Sequence, residues 1–320
     1  MTDMAGRSCP LRYRYGADAI AAVPLQVVPT LYVVGGLYGN LQALDTVEHM
    51  ARQEPGPVTI CFNGDFNWFN ADEASFQTLN TRVLQHSATQ GNVEAELGGD
   101  GDAAGCGCAY PDDVDNATVE RSNRIHARLK AVADDFPALQ HQLGRLPMFA
   151  RFGVGDCRVA VVHGDADSLA GWQFDAKHLW EAGRGQPNAA SAALRDLLTR
   201  AGADVFASSH TCQPAFWSAG EGNFEEFVVN NGAAGMPNFQ GVQAGLITRI
   251  SVNLSPHRPV YGARRRQVFI DALPVFYDAA LWQQRFLDLW PEGSDAYLSY
   301  FQRIQGNTAF TVADALCRAG

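Results

Sequence analysis

Short apolar runs alternate with amphipathic segments along the first third of the chain. Runs at 31–34, 58–62 and 88–90 predict buried strands. Between them, apolar residues recur at helical spacing over Leu41–Arg52 and again over 71–86. Pro55-Gly56-Pro57 marks the end of the first helix. The order strand, helix, strand, helix, strand favours an α/β fold with a parallel sheet covered by helices.

The second half has fewer helices between its strands. Helices are predicted at 118–136 and 188–201, a hairpin at 148–154 and 157–162, and further strands at 204–207, 215–218, 224–230 and 246–252. This predicts a more antiparallel second sheet packed against the first. After about residue 257 the chain has a strand-like segment at 268–277 and amphipathic helices at 279–289, 295–304 and 311–318. We therefore predict a domain at 1–255 and a C-terminal helical extension at 256–320 packed on it.

Polar residues stand directly after four of the apolar runs. Asp65 follows the run at 58–62, Asn92 the run at 88–90, His163 the run at 157–162 and His210 the run at 204–207. Because ligands in α/β sheets bind at the carboxyl ends of the strands, we expect these side chains to meet. One Asp, one Asn and two His suit a divalent metal. Taken singly, a Gly-Asp pair also forms ordinary turns, and a buried His is commonly a hydrogen-bonded core residue.

The same stretches occur as an ordered series of motifs. They read GGLYGN at 35–40, GD at 64–65, GNVE at 91–94, HG at 163–164, SHTC at 209–212 and NNGAAGMP at 230–237. Over roughly 31–250 this series resembles the calcineurin-like metallophosphoesterase family. The resemblance implies a two-sheet metallophosphoesterase-like sandwich flanked by helices, with a metal centre between strand ends. It also implies phosphoester hydrolysis by a metal-activated water.

The resemblance further implies which positions bind metal. Asp65 would be shared by two metals, and Asn92, His163 and His210 would complete one intact site for Zn, Fe or Mn. The other site falls on Gly36, Tyr38 and Cys212, which are not the family's ligands, so a second metal is left open. Val93 stands where the family has a His thought to protonate the leaving group, and Val cannot transfer a proton.

A Cys-Gly-Cys sequence lies in a loop at 98–107 that directly follows the GN motif. One hypothesis is that Cys106 or Cys108 joins Cys212 in a thiolate-rich replacement site that prefers zinc or iron. The alternatives are a flexible loop with Cys212 as a small packing residue, or a redox pair. Side chains that we expect near a substrate are Tyr38, Asn40, Asn67 and Arg121, although Tyr38 is also suited to packing and Arg121 to a helix surface.

Composition narrows the classes of function. The chain of 320 residues carries a net charge of −10, and its pI is about 5.2, which disfavours nucleic-acid and anionic-membrane partners. Seven Cys, an odd number, and no apolar leader indicate a reducing, cytoplasmic setting. We expect a metal-dependent hydrolase acting on a small phosphorylated substrate. The alternatives are a catalytically inactive scaffold, like the retromer subunit that resembles these enzymes, or an altered metal centre with other chemistry. The oligomeric state is left open.

Overall fold

The computed structural model describes residues 5–99, 104–185, 188–220 and 225–317. Parts of three predicted segments lie outside them: 100–103 of the loop with the cysteines, Phe224 of the strand at 224–230 and Arg318 of the helix at 311–318. The described strands are β1 Gln26–Val27, β2 Thr30–Val34, β3 Val58–Asn63, β4 Ser87–Thr89, β5 Phe149–Val154, β6 Cys157–Val162, β7 Val205–Ser208, β8 Pro214–Ala219, β9 Glu226–Asn231, β10 Ala244–Ser251, β11 Tyr261–Arg265, β12 Val268–Phe276 and β13 Leu316–Cys317.

The described helices cover the outer faces of the two sheets and make up most of the C-terminal region. They are α1 Ala17–Ala21, α2 Leu41–Arg52, α3 Glu73–Val83, α4 Asn92–Leu97, α5 Asn116–Ala133, α6 Pro137–Gly144, α7 Ala176–Gly183, α8 Ala189–Ala201, α9 Ala279–Leu289, α10 Asp295–Ile304 and α11 Val312–Ala315, with a 3₁₀ turn at Leu11–Tyr13. No described helix combines the length and the apolar character that crossing a membrane requires.

The strands form two sheets that pack face to face. In the described residues one sheet has the order β11-β12-β10-β2-β3-β4, and the other has the order β1-β5-β6-β7-β9-β8-β13. Aliphatic side chains of both sheets form one core between them, with Val33 and Ile250 from the first and Val161 and Val229 from the second. Helices α2, α3, α5 and α9 pack on the outer face of the first sheet, and α1, α7 and α8 on that of the second. The predicted two-sheet α/β sandwich is confirmed.

Each sheet contains three adjacent parallel strands, whose carboxyl ends lie at the same end of the sheet. β2, β3 and β4 pair in parallel, as do β6, β7 and β9. The second half is therefore less antiparallel than predicted. The antiparallel pairs of that sheet are the predicted hairpin β5–β6 and the pair β8–β9. Because the sheets face each other, the carboxyl ends of β3, β4, β6 and β7 bring Asp65, Asn92, His163 and His210 into one site.

The domain boundary predicted at residue 255 falls inside the first sheet. β10 pairs with β12 over eight residues, from Ala244↔Phe276 to Ser251↔Phe269, and β11 pairs with β12 beyond it. The residues up to Phe276 are thus an integral part of the sandwich, and the helical extension begins with α9. The helix predicted at 311–318 is shorter in the structure, because Leu316–Cys317 instead adds a parallel strand to β8.

Candidate metal centre

Four buried polar side chains converge where the two sheets meet. His163 Nε2 lies 3.3 Å from Asp65 Oδ2, 3.1 Å from Asn92 Oδ1 and 3.1 Å from His210 Nδ1. One ligand atom from each of Asp65, His163 and His210 lies within 4.8 Å of the others. All four residues are at most 6% exposed. The structure thus brings together the four residues for which the sequence predicts a shared site.

Backbone carbonyl groups determine which nitrogen of each imidazole faces this site. His163 Nδ1 lies 2.9 Å from the carbonyl oxygen of Asn63, and His210 Nε2 lies 3.0 Å from that of Cys108. A carbonyl oxygen can only accept, so these two nitrogens carry the ring protons. The other two nitrogens therefore present lone pairs to each other at 3.1 Å.

The amide of Asn92 is oriented in the same way. Its Nδ2 donates to the carbonyl oxygen of Cys106 at 2.8 Å, which turns Oδ1 toward His163. Two imidazole lone pairs, one amide oxygen and one carboxylate therefore face a common point. Four acceptors so close together repel one another unless a cation lies between them. The donor set of two nitrogens and two oxygens, each held by an outer hydrogen bond, fits a divalent metal.

The charges within the site favour the metal-binding protonation states of Asp65 and His210, whereas without a metal they favour the charged form of His163. Burial opposes ionisation of Asp65, but the adjacent His163 lowers the pKa of this carboxyl below its ordinary value. Burial and the neighbouring His163 lower the pKa of His210 to about 3, so this ring is neutral at physiological pH. Burial would lower the pKa of His163, but the Asp65 carboxylate outweighs it and raises this pKa.

Glu94 joins the two loops that carry Asp65 and Asn92. Its carboxylate accepts from the backbone N–H of Asp65 at 2.7 Å and of Gly91 at 3.1 Å, and from the backbone and side-chain nitrogens of Asn67 at 3.3 and 3.2 Å. Asp65 has a φ of 52°, a left-handed conformation that is uncommon for a residue with a side chain. The N–H groups that Glu94 binds stabilise this strained turn.

Comparison with solved structures identifies the fold. A metallophosphoesterase from Sphaerobacter thermophilus matches 87% of this chain and 99% of its own, with 16% identity and a TM-score of 0.53. A hypothetical protein from Pyrococcus horikoshii OT3 matches 89% of this chain and 100% of its own, with 14% identity and a TM-score of 0.55. The chain has the metallophosphoesterase fold. No protein-family profile matches the sequence, and no curated protein matches it either.

In this metallophosphoesterase fold the positions expected for the other metal are taken by a phenol ring. A Cβ atom added to Gly36 would lie 2.8 Å from Cζ of Tyr38, so the ring occupies the space beside the glycine. The Tyr38 hydroxyl lies 2.7 Å from Cys212 Sγ. Tyr38 and Cys212 also have positive φ values, of 55° and 60°. Tyr38 is thus a packing residue that also lines the cavity described below.

The structure does not bring the cysteines into a thiolate site. Among the described residues, the converging group of candidate ligands contains no cysteine. Burial raises the pKa of Cys108 and of Cys212, which favours the thiol in each. The loop contributes its main chain instead, since the carbonyl oxygens of Cys106 and Cys108 orient Asn92 and His210.

Two of the expected substrate contacts have structural roles. Asn40 caps α2, because its Oδ1 accepts from the backbone N–H groups of Gln42 and Ala43. Asn67 is fully buried and exchanges side-chain hydrogen bonds with Asn80. The sequence does not predict the roles of Glu94 and of the carbonyl groups of Cys106 and Cys108 in orienting the site. The motif GNVE includes Glu94, but the neighbouring sequence does not indicate which groups its carboxylate binds. Every residue has a backbone carbonyl group, so residue types cannot indicate which carbonyl makes a contact.

A cavity of about 330 Å³ opens above the four converging side chains. Asp65, Asn92 and His210 form its floor, and Arg121 of α5 lies at its rim with residues of α10. Its lining is mostly aromatic and aliphatic between these ends. The lining residues are Tyr38, Asp65, Trp68, Asn92, Cys108, Tyr110, Val114, Thr118, Arg121, Trp172, His210, Thr211, Cys212, Leu298, Ser299 and Tyr300. Tyr38 and Arg121 are therefore the two expected substrate contacts that reach this cavity.

Proposed function

We propose that this protein is a metal-dependent hydrolase of phosphoesters with a single metal site. The observation that supports the proposal is the convergence of two imidazole lone pairs, an amide oxygen and a carboxylate at the floor of a cavity. Asp65, Asn92, His163 and His210 would hold zinc, iron or manganese. When bound, such a metal supplies Lewis acidity toward a phosphoryl oxygen and makes water a stronger acid.

The other side chains of the cavity bind and orient the substrate. Burial raises the pKa of Tyr38 and of Tyr300, so both hydroxyl groups stay protonated and can donate to phosphoryl oxygens. Trp68 and Trp172 exclude water from the floor. Tyr38 also fills the space beside Gly36, and for this reason we expect one metal per chain rather than two.

The test is elemental mass spectrometry on protein purified without chelator or affinity nickel, followed by hydrolysis of phenyl phosphate. We expect about one equivalent of metal and measurable turnover. Asp65→Asn keeps the shape of the side chain but removes its charge, so this variant should lose most of the bound metal and most of the turnover. Asp278→Asn is the matched control, because Asn also caps helices and α9 should be unaffected.

Two outcomes would contradict the proposal. Protein that contains no metal even after reloading has no metal site, and a binding or scaffolding role on the same fold would then account for the chain. Two equivalents of metal would show that the replaced positions around Tyr38 still bind an ion.

A further inference from the structure

The cavity has a different character at its floor and at its rim. The floor is buried and polar, with Asp65 as the carboxylate that lines it. The rim lies between α5 and α10 and carries the guanidinium of Arg121. One cavity therefore contains both a group of candidate metal ligands and a cationic side chain that can bind an anion.

Aromatic rings form the walls between floor and rim. Two neighbouring aromatic pairs line the cavity: Tyr110 and Trp172 have ring centroids 5.9 Å apart, and Trp68 and Tyr300 have ring centroids 6.4 Å apart. Such walls favour a flat aromatic ligand, which gains from ring contacts as well as from burial. A polyol would place many hydroxyl groups against ring faces that cannot bind them.

Arg121 is held in place by neutral partners. Its Nε donates to Ser299 Oγ at 2.7 Å and its Nη2 to Thr118 Oγ1 at 2.8 Å. Within the part of the chain that the structure describes, no carboxylate lies within 4.0 Å of this guanidinium. Arg124, one turn further along α5, instead pairs with Asp295 at 2.7 Å. The Asp115 carboxylate, which accepts from the Thr118 hydroxyl, is near enough to interact with the charge of Arg121 but forms no direct ion pair with it, so the guanidinium can still bind an anion.

We infer that the cavity binds a small aromatic phosphoester that carries a second anionic group. The phosphoryl group lies at the floor, the ring between the aromatic walls, and the second anion, such as a carboxylate, at Arg121. The volume of about 330 Å³ is at the small end for ligand sites and fits a ligand with a single ring. The phosphoryl part rests on the proposed function, whereas the ring and the second anion rest on the walls and on Arg121.

Calorimetry with phosphonates tests the second anion directly. Zinc-loaded protein is titrated with phenylphosphonate and with meta- and para-phosphonobenzoate. At least one phosphonobenzoate should bind about tenfold more tightly than phenylphosphonate, because a carboxylate–Arg pair is charge-assisted. Arg121→Gln should abolish this difference. Equal affinities in the unsubstituted protein, or a difference that persists in Arg121→Gln, would overturn the inference.

Arg124→Gln is the matched control, because it removes a contact between α5 and α10 without changing the cavity lining. It should keep the preference for phosphonobenzoate, and losing it would show that helix docking is the cause. Arg121→Lys keeps the charge and should keep part of the preference, provided that its melting temperature is unchanged. If Arg121→Gln weakens all three phosphonates equally, Arg121 binds the phosphoryl group, and the second-anion site is refuted.

Two further ligands separate this inference from the proposed function. The aliphatic γ-phosphonobutyrate has the same charges as phosphonobenzoate and should bind several-fold more weakly; equal affinity would refute the aromatic requirement. Benzoate has a ring and a carboxylate but no phosphoryl group, so we expect it to bind without metal. Ligand-observed NMR on chelator-treated protein should detect this binding, and Arg121→Gln should abolish it. Benzoate binding without any hydrolysis would leave the rim site standing and remove the proposed function. Hydrolysis of phenyl phosphate, together with no gain in affinity from a carboxylate on the ligand, would support the proposed function and refute the rim site.

Discussion

At the scale of single residues, the loop with two cysteines supplies carbonyl groups rather than sulfur ligands. Cys106→Ala with Cys108→Ala leaves both carbonyls in the main chain, so we expect metal content per folded chain to be unchanged. Asn92→Ala removes a donor atom and should weaken metal binding at least about tenfold. Metal content and affinity, measured on both variants with a chelator of known affinity, check the prediction.

The same experiment distinguishes the thiol hypothesis from the carbonyl explanation. A loss of metal from the double cysteine variant, at an unchanged melting temperature, would return the thiols to the site. Retention of metal by Asn92→Ala would show that its amide oxygen is not a ligand and that the contact with His163 is only structural.

Because Val93 stands where a general acid is expected, we predict that the rate of hydrolysis depends strongly on the leaving group. This side chain is fully buried at the start of α4 and cannot donate a proton. General acids contribute roughly 100-fold or more to such reactions, so alkyl phosphates should turn over about 100-fold more slowly than aryl phosphates. Steady-state rates with phenyl and n-propyl phosphate check this, and comparable kcat/KM values would mean that another group protonates the leaving oxygen.

At the scale of elements, Glu94 couples the turn after β3 to the start of α4. Burial and the nearby Asp65 carboxylate raise the pKa of Glu94 to about 7, against the opposing effect of its N–H donors. The folded chain then binds more protons than the unfolded chain between about pH 5 and 7, so this group's contribution to stability is lost as pH rises through that window.

Glu94→Gln cannot titrate, so it should flatten this part of the pH profile. Melting temperatures of chelator-treated protein from pH 5 to 8 measure the effect in both proteins. Asn67 contacts the same carboxylate, and Asn67→Ala serves as the control that keeps the titrating group. Parallel pH profiles for Glu94→Gln and the unsubstituted protein would refute the shifted titration.

Local patterns predict some elements well and leave others open. Helices α2, α9 and α10 begin and end where the periodicity predicts, because their apolar stripes and end signals lie within the element. β10 is buried at all eight positions, and such a strand has no polar face that reveals which sheet it joins. Its partner β2 is distant in sequence, and its partner β12 follows only after a long connection. For this reason the sequence pattern does not show that the sheet continues beyond residue 255. The convergence of Asp65, Asn92, His163 and His210 is predictable, because each of them follows an apolar run whose end the sequence indicates.

At the scale of the whole molecule, the C-terminal helices take part in the site. Leu298, Ser299 and Tyr300 of α10 line the cavity opposite the floor, and Ser299 holds Arg121. The sequence predicts these helices but not their position, since their apolar aromatics suit any packed surface. The cavity therefore exists only when the sandwich and its extension are assembled.

Assembly of the first sheet depends on a buried ionic cluster across three strands. Arg249 of β10 is fully buried and pairs with Glu54 at 2.6 Å and with Asp271 of β12 at 2.9 Å. Tyr32 of β2, opposite Arg249, donates to Glu54 at 2.7 Å. The cluster joins β2, β10 and β12, which links the N-terminal part of the sheet to the strands beyond residue 255.

Arg249→Met fills similar space but leaves two buried carboxylates without their cation, so we expect unfolding free energy to fall by about 3–5 kcal/mol. Arg200→Met removes an exposed pair with Asp18 and is the matched control, for which we expect a much smaller loss because solvent screens the pair. Urea unfolding at constant pH measures both losses. If both variants lose little unfolding free energy, water or protonation must compensate the carboxylates of Glu54 and Asp271 for the missing guanidinium. A large loss from Arg249→Met alone would show that the buried cluster stabilises the part of the sheet in which β10 pairs with β2 and β12.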